Sequence, residues 1–547
     1  MRAINANKPC LQSELRCRGF KARGHSKSLS AQASAVPSSS SASARVCLRS
    51  IAFRSPRRSA RANPSRCARK LLGKHIAAAP DAVVPEEESE AEESDLPKLL
   101  RLAERSPLEA ALRVAAPAAG AMLLRTAYNM ADAFWIGRMG RPELEAVGGA
   151  TFATWAFLCL FDIPAIGVQS FVARAEGAGD RSKACATLLQ GCYAAAAMAA
   201  IAVVCSPLAP HYFIKILGLA AGAPATVAGS EFLGWTLLLS PALAASAVAG
   251  AAFRGIGAVR PVLTVTALTV ALNAALDPLL IWGFAPLGIP ALGVKGAAFA
   301  TAACATVEAL LLFALLRINY KITPLAAPPV LREMCLLAAV GAPPAAAGIF
   351  FSLVFMPMGR ILAGLGDANL AALGVAHRIE GLVYSLTEGL GVGAAALVGQ
   401  WLGAGQPHRA YESAMCIARY GALVMLPFSA LCIVFANPAA ALLSGGDQVV
   451  SQGAASYLRL NAACFSFMAL EAVADGSFTG CAATLRPLIV SILCATLRLL
   501  GVVLLTQIWP SSTAVWLVIA LSCTVRGTWK AAWFKHAWRG GELARAL

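Results

Sequence analysis

Asp132, in YNMADAFWIG, and Asp277, in NAALDPLLIW, stand in stretches that are otherwise apolar. A spacing of four puts Tyr128 on one helical face with Asp132, and Asn273 on one face with Asp277. Each carboxylate thus has a hydrogen-bonding neighbour one turn away. Withdrawn from water, such a group can hold a proton or share a sodium ion. Pro117 can kink the helix that carries Asp132, and Pro278 loosens the backbone directly after Asp277. A second set of acids comes later: Glu380 and Glu388, then Glu471 and Asp475. His377-Arg378 is placed to pair with Glu380. Glu471 and Asp475 are four apart, so their charges share a face and repel. One of them is expected to be protonated or to border a wet cavity. The sixteen Cys are scattered, without metal spacing, and no Ser/His/Asp set is evident. Neither a metal, a cofactor nor an enzymatic reaction is therefore expected.

The elements that position these acids must be membrane helices. Of 547 residues, 58% are hydrophobic and only 14% charged, against roughly 25% charged in soluble domains. From residue 108 onward, twelve stretches are long and apolar enough to span a bilayer. In the first half they are 109–137, 144–172, 184–209, 224–252, 260–284 and 291–316. In the second they are 334–363, 370–399, 410–436, 450–478, 486–508 and 513–535. Trp135, Trp282, Trp401, Trp509 and Trp533 fall near span ends, as interfacial aromatics do. Lys and Arg are richer in loops leaving even-numbered spans, which places both termini on the synthesis side.

Shifted by 226 residues, the chain lies on itself. Pro117 meets Pro343, Gly167 meets Gly393, GAGDRSKA (177–184) meets GAGQPHRA (403–410), and Arg260-Pro261 meets Arg486-Pro487. Six spans per repeat keep both halves in the same orientation, related by an axis along the membrane normal with a cavity between them. The expected fold is an all-α integral membrane protein of twelve transmembrane helices in two parallel six-helix repeats. The repeat is also an internal control: Met358 and Val503 occupy the positions equivalent to Asp132 and Asp277. The fold does not need these acids, which marks them as functional in the first lobe. The Gly-rich run GLGVG (389–393) reads as close helix packing rather than a phosphate loop.

The net charge of +17 belongs mostly to the leader. Residues 1–80 hold seventeen Lys/Arg and one acid, and residues 81–100 hold eight acids and one Lys. A nucleic-acid partner is therefore not expected. The domain reading is a transit peptide (1–75), a disordered acidic spacer (76–107), an N-terminal lobe (108–316), a linker (317–333), a C-terminal lobe (334–535) and a tail (536–547). The Ser-, Ala- and Arg-rich leader favours a chloroplast membrane, the envelope before the thylakoid.

DAFWIGRMG, GVQSFVARAEGAGD, NAALDPLLIWG with GVKGAAFAT, ALGVAHRIEGL and GAAALVGQWLGAG, in this order, resemble the multidrug and toxic compound extrusion (MATE) family over about residues 108–535. The resemblance implies a monomeric antiporter in the lipid bilayer, expelling a small organic solute in exchange for protons or sodium. It implies a cation site of Asp132, Asn273, Asp277 and Thr301, with Tyr128 nearby, as in prokaryotic members of the DinF-like branch. Glu471 or Asp475 resembles the helix 10 acid of other members, and Glu380, Glu471 and Asp475 are expected to face the solute cavity. Organelle-targeted plant and algal members carry a similar leader. The alternatives are a lipid-linked flippase of the same superfamily, which would want a basic cavity, and a membrane protein that transports nothing.

Overall fold

The computed structural model describes residues 96–545, apart from 217, 324–326 and 445. The expected transit peptide and the acidic run at 86–95 lie outside the described residues.

Twelve membrane-spanning elements follow in chain order. They are α1 (Pro107–Gly137), α2 (Arg141–Gly177), α3 (Arg181–Cys205), α4 (the pair Pro224–Leu238 and Ser240–Ile256), α5 (Arg260–Trp282) and α6 (Val294–Tyr320). The second half has α7 (Leu331–Gly364), α8 (Asp367–Gly403), α9 (Pro407–Val434), α10 (the pair Gln448–Ala462 and Phe465–Gly480), α11 (Leu485–Ile508) and α12 (Ser512–Arg539). Among the described residues, nine helices are long and apolar enough to cross a membrane, ten if the bent α4 pair is one span. The remaining two, α10 and α12, are the ones loaded with Glu471, Asp475, Arg526 and Lys530.

Local chemistry sets the boundaries. The Ser106 hydroxyl accepts from the Glu109 amide to cap α1, and the Asp180 carboxylate accepts from the Lys183 amide to cap α3. Gly179 and Gly405, equivalent in the two GAG turns, both sit in the left-handed region, at φ +68° and +73°. The sequence reading took α4 and α10 as single spans, and each is broken near its middle. In α4 the halves bend by 51° at Leu239, where Pro241 removes a backbone donor. The span expected to end at 209 continues through a tight 3-10 turn and a wider π turn to Ile216.

The halves cross as an approximate two-fold axis requires. α1 packs on α8, α2 on α7, and α2 on α8 at the axis. The contacts pair off by the sequence shift. A Cβ at Gly167 would sit 2.5 Å from the Leu337 carbonyl oxygen, and one at Gly393 would sit 3.1 Å from that of Ala111, the equivalent residue. Gly177 lies against the Gln400 backbone, and Gly403 against that of Arg174. Arg174 Nε donates to the Gly480 carbonyl at 3.1 Å, and Gln400 Nε2 donates to the Gly255 carbonyl at 3.0 Å. Only residues without a side chain let backbones approach this closely. The GLGVG run serves the same end, with Gly389 against Ala115 and Gly391 against Ala472.

Two expectations need correction. The spacer placed at 76–107 as disordered ends in a helix, Lys98–Arg105. Its apolar stripe of Leu99, Leu100 and Ala103 is buried, Leu99 lies beside Gly257 and Gln400, and Glu104 pairs with Arg409. Burial of that stripe outweighs the charge of the preceding run. Trp401, expected at the lipid interface, is fully buried: its Nε1 donates to Ser413 Oγ at 3.1 Å, and Arg409 lies over its ring. Trp135 and Trp282 do share one end of the first lobe, edge to face at 5.7 Å.

Candidate functional site

Three helices of the first lobe build the site around Asp132. α5 packs against both α1 and α6, and each runs unbroken through its proline or glycine. Asp277 and Asn273 are fully buried on α5, and Asn273 Nδ2 donates to Asp277 Oδ1 at 3.2 Å. Asp132 comes from α1 within hydrogen-bonding reach of Asp277, Asn273 and Thr301. Tyr128, one turn earlier, reaches Thr301 on α6. The five residues singled out for the first lobe therefore meet. Asp132 Oδ1, Asp277 Oδ2 and Asn273 Oδ1 are buried acceptors without a donor among the described residues. Three convergent orphan oxygens suit a proton shared by the carboxylates, or a hard cation that takes oxygen ligands.

The sequence reading passed over a second charged set in the same lobe. Glu308, on α6, is buried; Thr266 Oγ1 of α5 donates to it at 3.1 Å and Arg125 of α1 lies 3.6 Å away. Asp162 on α2 lies within electrostatic reach of Arg125 and of Arg254 on α4, whose Nε donates to Gln169 Oε1 at 3.0 Å. The rule that found Asp132 and Asp277, a charge inside an apolar span, applies equally to Glu308 and Asp162.

The other acids belong to a cavity of about 530 Å³ between the halves. Its wall is mostly second-lobe, with Trp155, Ile166 and Gln169 of α2 opposite. Glu380, Glu388, Glu471 and Asp475 all line it. At one end Glu380 accepts from the Tyr457 hydroxyl at 2.8 Å and lies 3.8 Å from His377 Nε2. Arg498 is close by, beneath Phe351 and Phe355, with Nε donating to Ser522. At the other end Glu471 and Asp475 border the cavity, as expected of a like-charged pair, and their repulsion is offset by two cations. Lys530 Nζ lies 2.8 Å from Glu471 and 2.7 Å from Asp475, and Arg526 Nε donates to Glu471 at 2.8 Å. The neutralising charges come from α12, which packs on α10, where sequence spacing gives no sign of them.

The two sites are separate. One lobe holds a small oxygen cluster that can take a cation. The space between the lobes holds a solute-sized chamber with an aromatic end and an ion-paired end. Among the described residues, no group of three or more His, Cys, Asp or Glu could hold a metal ion. Both features lie in a scaffold of two packed six-helix halves, the architecture of transporters built from parallel repeats.

Comparison with known proteins agrees. The MatE family model matches residues 117–279 and 343–504, one block in each half. A probable multidrug resistance protein NorM of Thermotoga maritima is 26% identical over 386 residues, covering 70% of this chain and 81% of the relative. An FAD transporter of Shewanella oneidensis is 26% identical over 332 residues, 59% of this chain and 71% of the relative. A MATE crystal structure in the straight conformation superposes with a TM-score of 0.74 at 21% identity, covering 82% of this chain and all of that one. With a block matched in each half and more than half of its residues in the matched blocks, the chain belongs to the MatE family of multi-pass secondary transporters.

Proposed function

We propose that this chain exports a small organic solute in exchange for protons or sodium, with the coupling cation bound at Asp132 and Asp277. The observation that carries the reading is the trio of buried, donorless oxygens on Asp132, Asp277 and Asn273. A cation binding there removes the cost of those orphan acceptors. It does so at the crossing of α1 and α5, and α1 also packs on α8 of the other half. Binding thereby favours one arrangement of the lobes over the other, as a coupling ligand must.

The solute chamber supports a planar or aromatic solute. Phe351, Phe355 and Tyr457 supply its apolar wall, and one relative is named as a transporter of FAD. A lipid-linked flippase fits less well. The chamber is lined by three cations, Arg498, Arg526 and Lys530, against four carboxylates, and two of the cations are already paired. The chain acts as a monomer, and its leader directs it to a chloroplast membrane; N-terminal sequencing of the mature protein from isolated chloroplasts, starting well past residue 1, checks the address.

The test of the function is reconstitution of the full chain in vesicles. A proton or sodium gradient, imposed in turn, is expected to drive efflux of ethidium or FAD in at least one combination. No gradient-dependent flux of any organic solute in a broad screen would sink the proposal.

A further inference from the structure

The equivalent outer faces of α3 and α9 are finished differently. In the first lobe the chain connecting α6 to α7 is laid along α3. The Tyr193 hydroxyl donates to the Ala327 carbonyl at 2.9 Å. Gln190 donates to the Pro328 carbonyl at 3.2 Å and accepts from the Val330 amide at 2.9 Å. Cys185 Sγ lies 3.9 Å from the Lys321 carbonyl. The 226-residue shift carries Cys185, Gln190 and Tyr193 onto Tyr411, Cys416 and Arg419. Among the described residues, none of these three hydrogen-bonds a connecting segment. They line a cleft of about 630 Å³ instead.

α9 and α12 form the walls of this cleft, and each packs on the second half of α10. Tyr411 of α9 stacks on Trp538 of α12 at 5.7 Å, the kind of aromatic pair that sits at headgroup level. Three cations line the cleft: Arg419 from α9, and Lys535 and Arg539 from the last turns of α12. All three are exposed, and among the described residues none lies within ion-pair distance of an acid. The one acid in the lining, Glu412, has His408 3.5 Å away. Tyr420 and Leu423 also line the cleft and are exposed on a membrane-spanning helix. Arg419 lies about 18 Å along α9 from Pro407 at the helical rise. A guanidinium at that depth on a lipid-facing surface is costly unless an anion meets it. Basic clefts between spans suit anionic headgroups.

We propose that this cleft holds an anionic glycerolipid of the bilayer, with its acidic headgroup among Arg419, Lys535 and Arg539 and its acyl chains over Tyr420 and Leu423. The occupant has to carry negative charge to meet three cations, and an apolar body to cover exposed side chains inside the membrane. A soluble anion supplies only the first, and an apolar helix only the second. The lipid then does in the second lobe what the connecting chain does in the first: it covers the outer face of the third helix of the half. It also ties α9 to α12, and both pack on α10, the helix of Glu471 and Asp475. The site is separate from the cation cluster and the cavity, and it stands whatever solute is moved.

Native mass spectrometry of the full chain, titrated in detergent with dioleoyl phosphatidylglycerol or dioleoyl phosphatidylcholine, reads bound lipid directly. The wild type is expected to bind the anionic lipid at least about tenfold more tightly, since each nearby cation adds attraction. Arg419→Gln, Lys535→Gln and Arg539→Gln are each expected to weaken that preference, and the triple variant to lose it. Lys183→Gln with Arg332→Gln, which removes two exposed cations elsewhere, is expected to keep it. The anionic lipid is also expected to raise the thermal midpoint of the wild type and not that of the triple variant. Equal affinity of the wild type for the two lipids overturns the proposal, as does a triple variant, or the three single ones, with the wild-type preference. A dimer that the three substitutions abolish overturns it too, and gives the cleft to a second copy. Neutralising the acids of 86–95 overturns it if anionic lipid then binds at the three cations only in that variant, because the cleft then belongs to the acidic run.

Discussion

Lys530 stands between Glu471 and Asp475 and is 3% exposed, so its charge is fixed by its partners. Removing one member of a buried ion pair leaves the other uncompensated, which costs on the order of 3 kcal/mol. Lys530→Ala is therefore expected to lower the thermal midpoint in detergent, and adding Asp475→Asn is expected to recover part of the loss. A double variant as unstable as the single one would show that the ion pairs are incidental. Asp132, Asp277, Tyr128 and Asn273 were legible in the sequence because they are neighbours within a helix, and because Met358 and Val503 show what the fold does without the acids. The bond of Tyr457 to Glu380 and that of Lys530 to Asp475 join residues 77 and 55 apart. Local spacing carries no information about them. Glu308 was legible by the intramembrane-charge rule and was passed over inside a span read for its apolar residues.

At the scale of elements, the crossing of α2 and α8 decides how the halves meet. Gly177 lies on Gln400 and Gly403 on Arg174, each pair the image of the other under the 226-residue shift. Adding a side chain there forces backbone apart, at a cost of about 1–3 kcal/mol for overpacking. Gly177→Val and Gly403→Val are expected to lower the thermal midpoint by similar amounts; a large effect at one position and none at the other would contradict the two-fold relation. The repeat was readable because glycines, prolines and the Arg-Pro step keep one register. The breaks in the helices were less so. Pro241 is a sequence signal for the bend in α4, whereas the equivalent break before Phe465 has no proline. Likewise the helix Lys98–Arg105 is too short to stand out beside an acidic run, and it forms because Leu99, Leu100 and Ala103 find a surface to cover.

At the scale of the molecule, the two lobes divide the labour. In the proposed function the cation binds the Asp132–Asp277 cluster within the first lobe and the solute occupies the cavity walled mostly by the second, while α1 packs on α8 and α2 on α7 between them. Coupling then requires that a change of charge at Asp277 alter which lobe arrangement is favoured. Vesicles bearing Asp277→Asn test this most directly, with gradient-driven efflux and solute-for-solute exchange measured side by side. The account predicts that driven efflux falls by at least about tenfold, or 1.4 kcal/mol of lost coupling, while exchange and membrane insertion persist. Driven efflux equal to that of the wild type would contradict it.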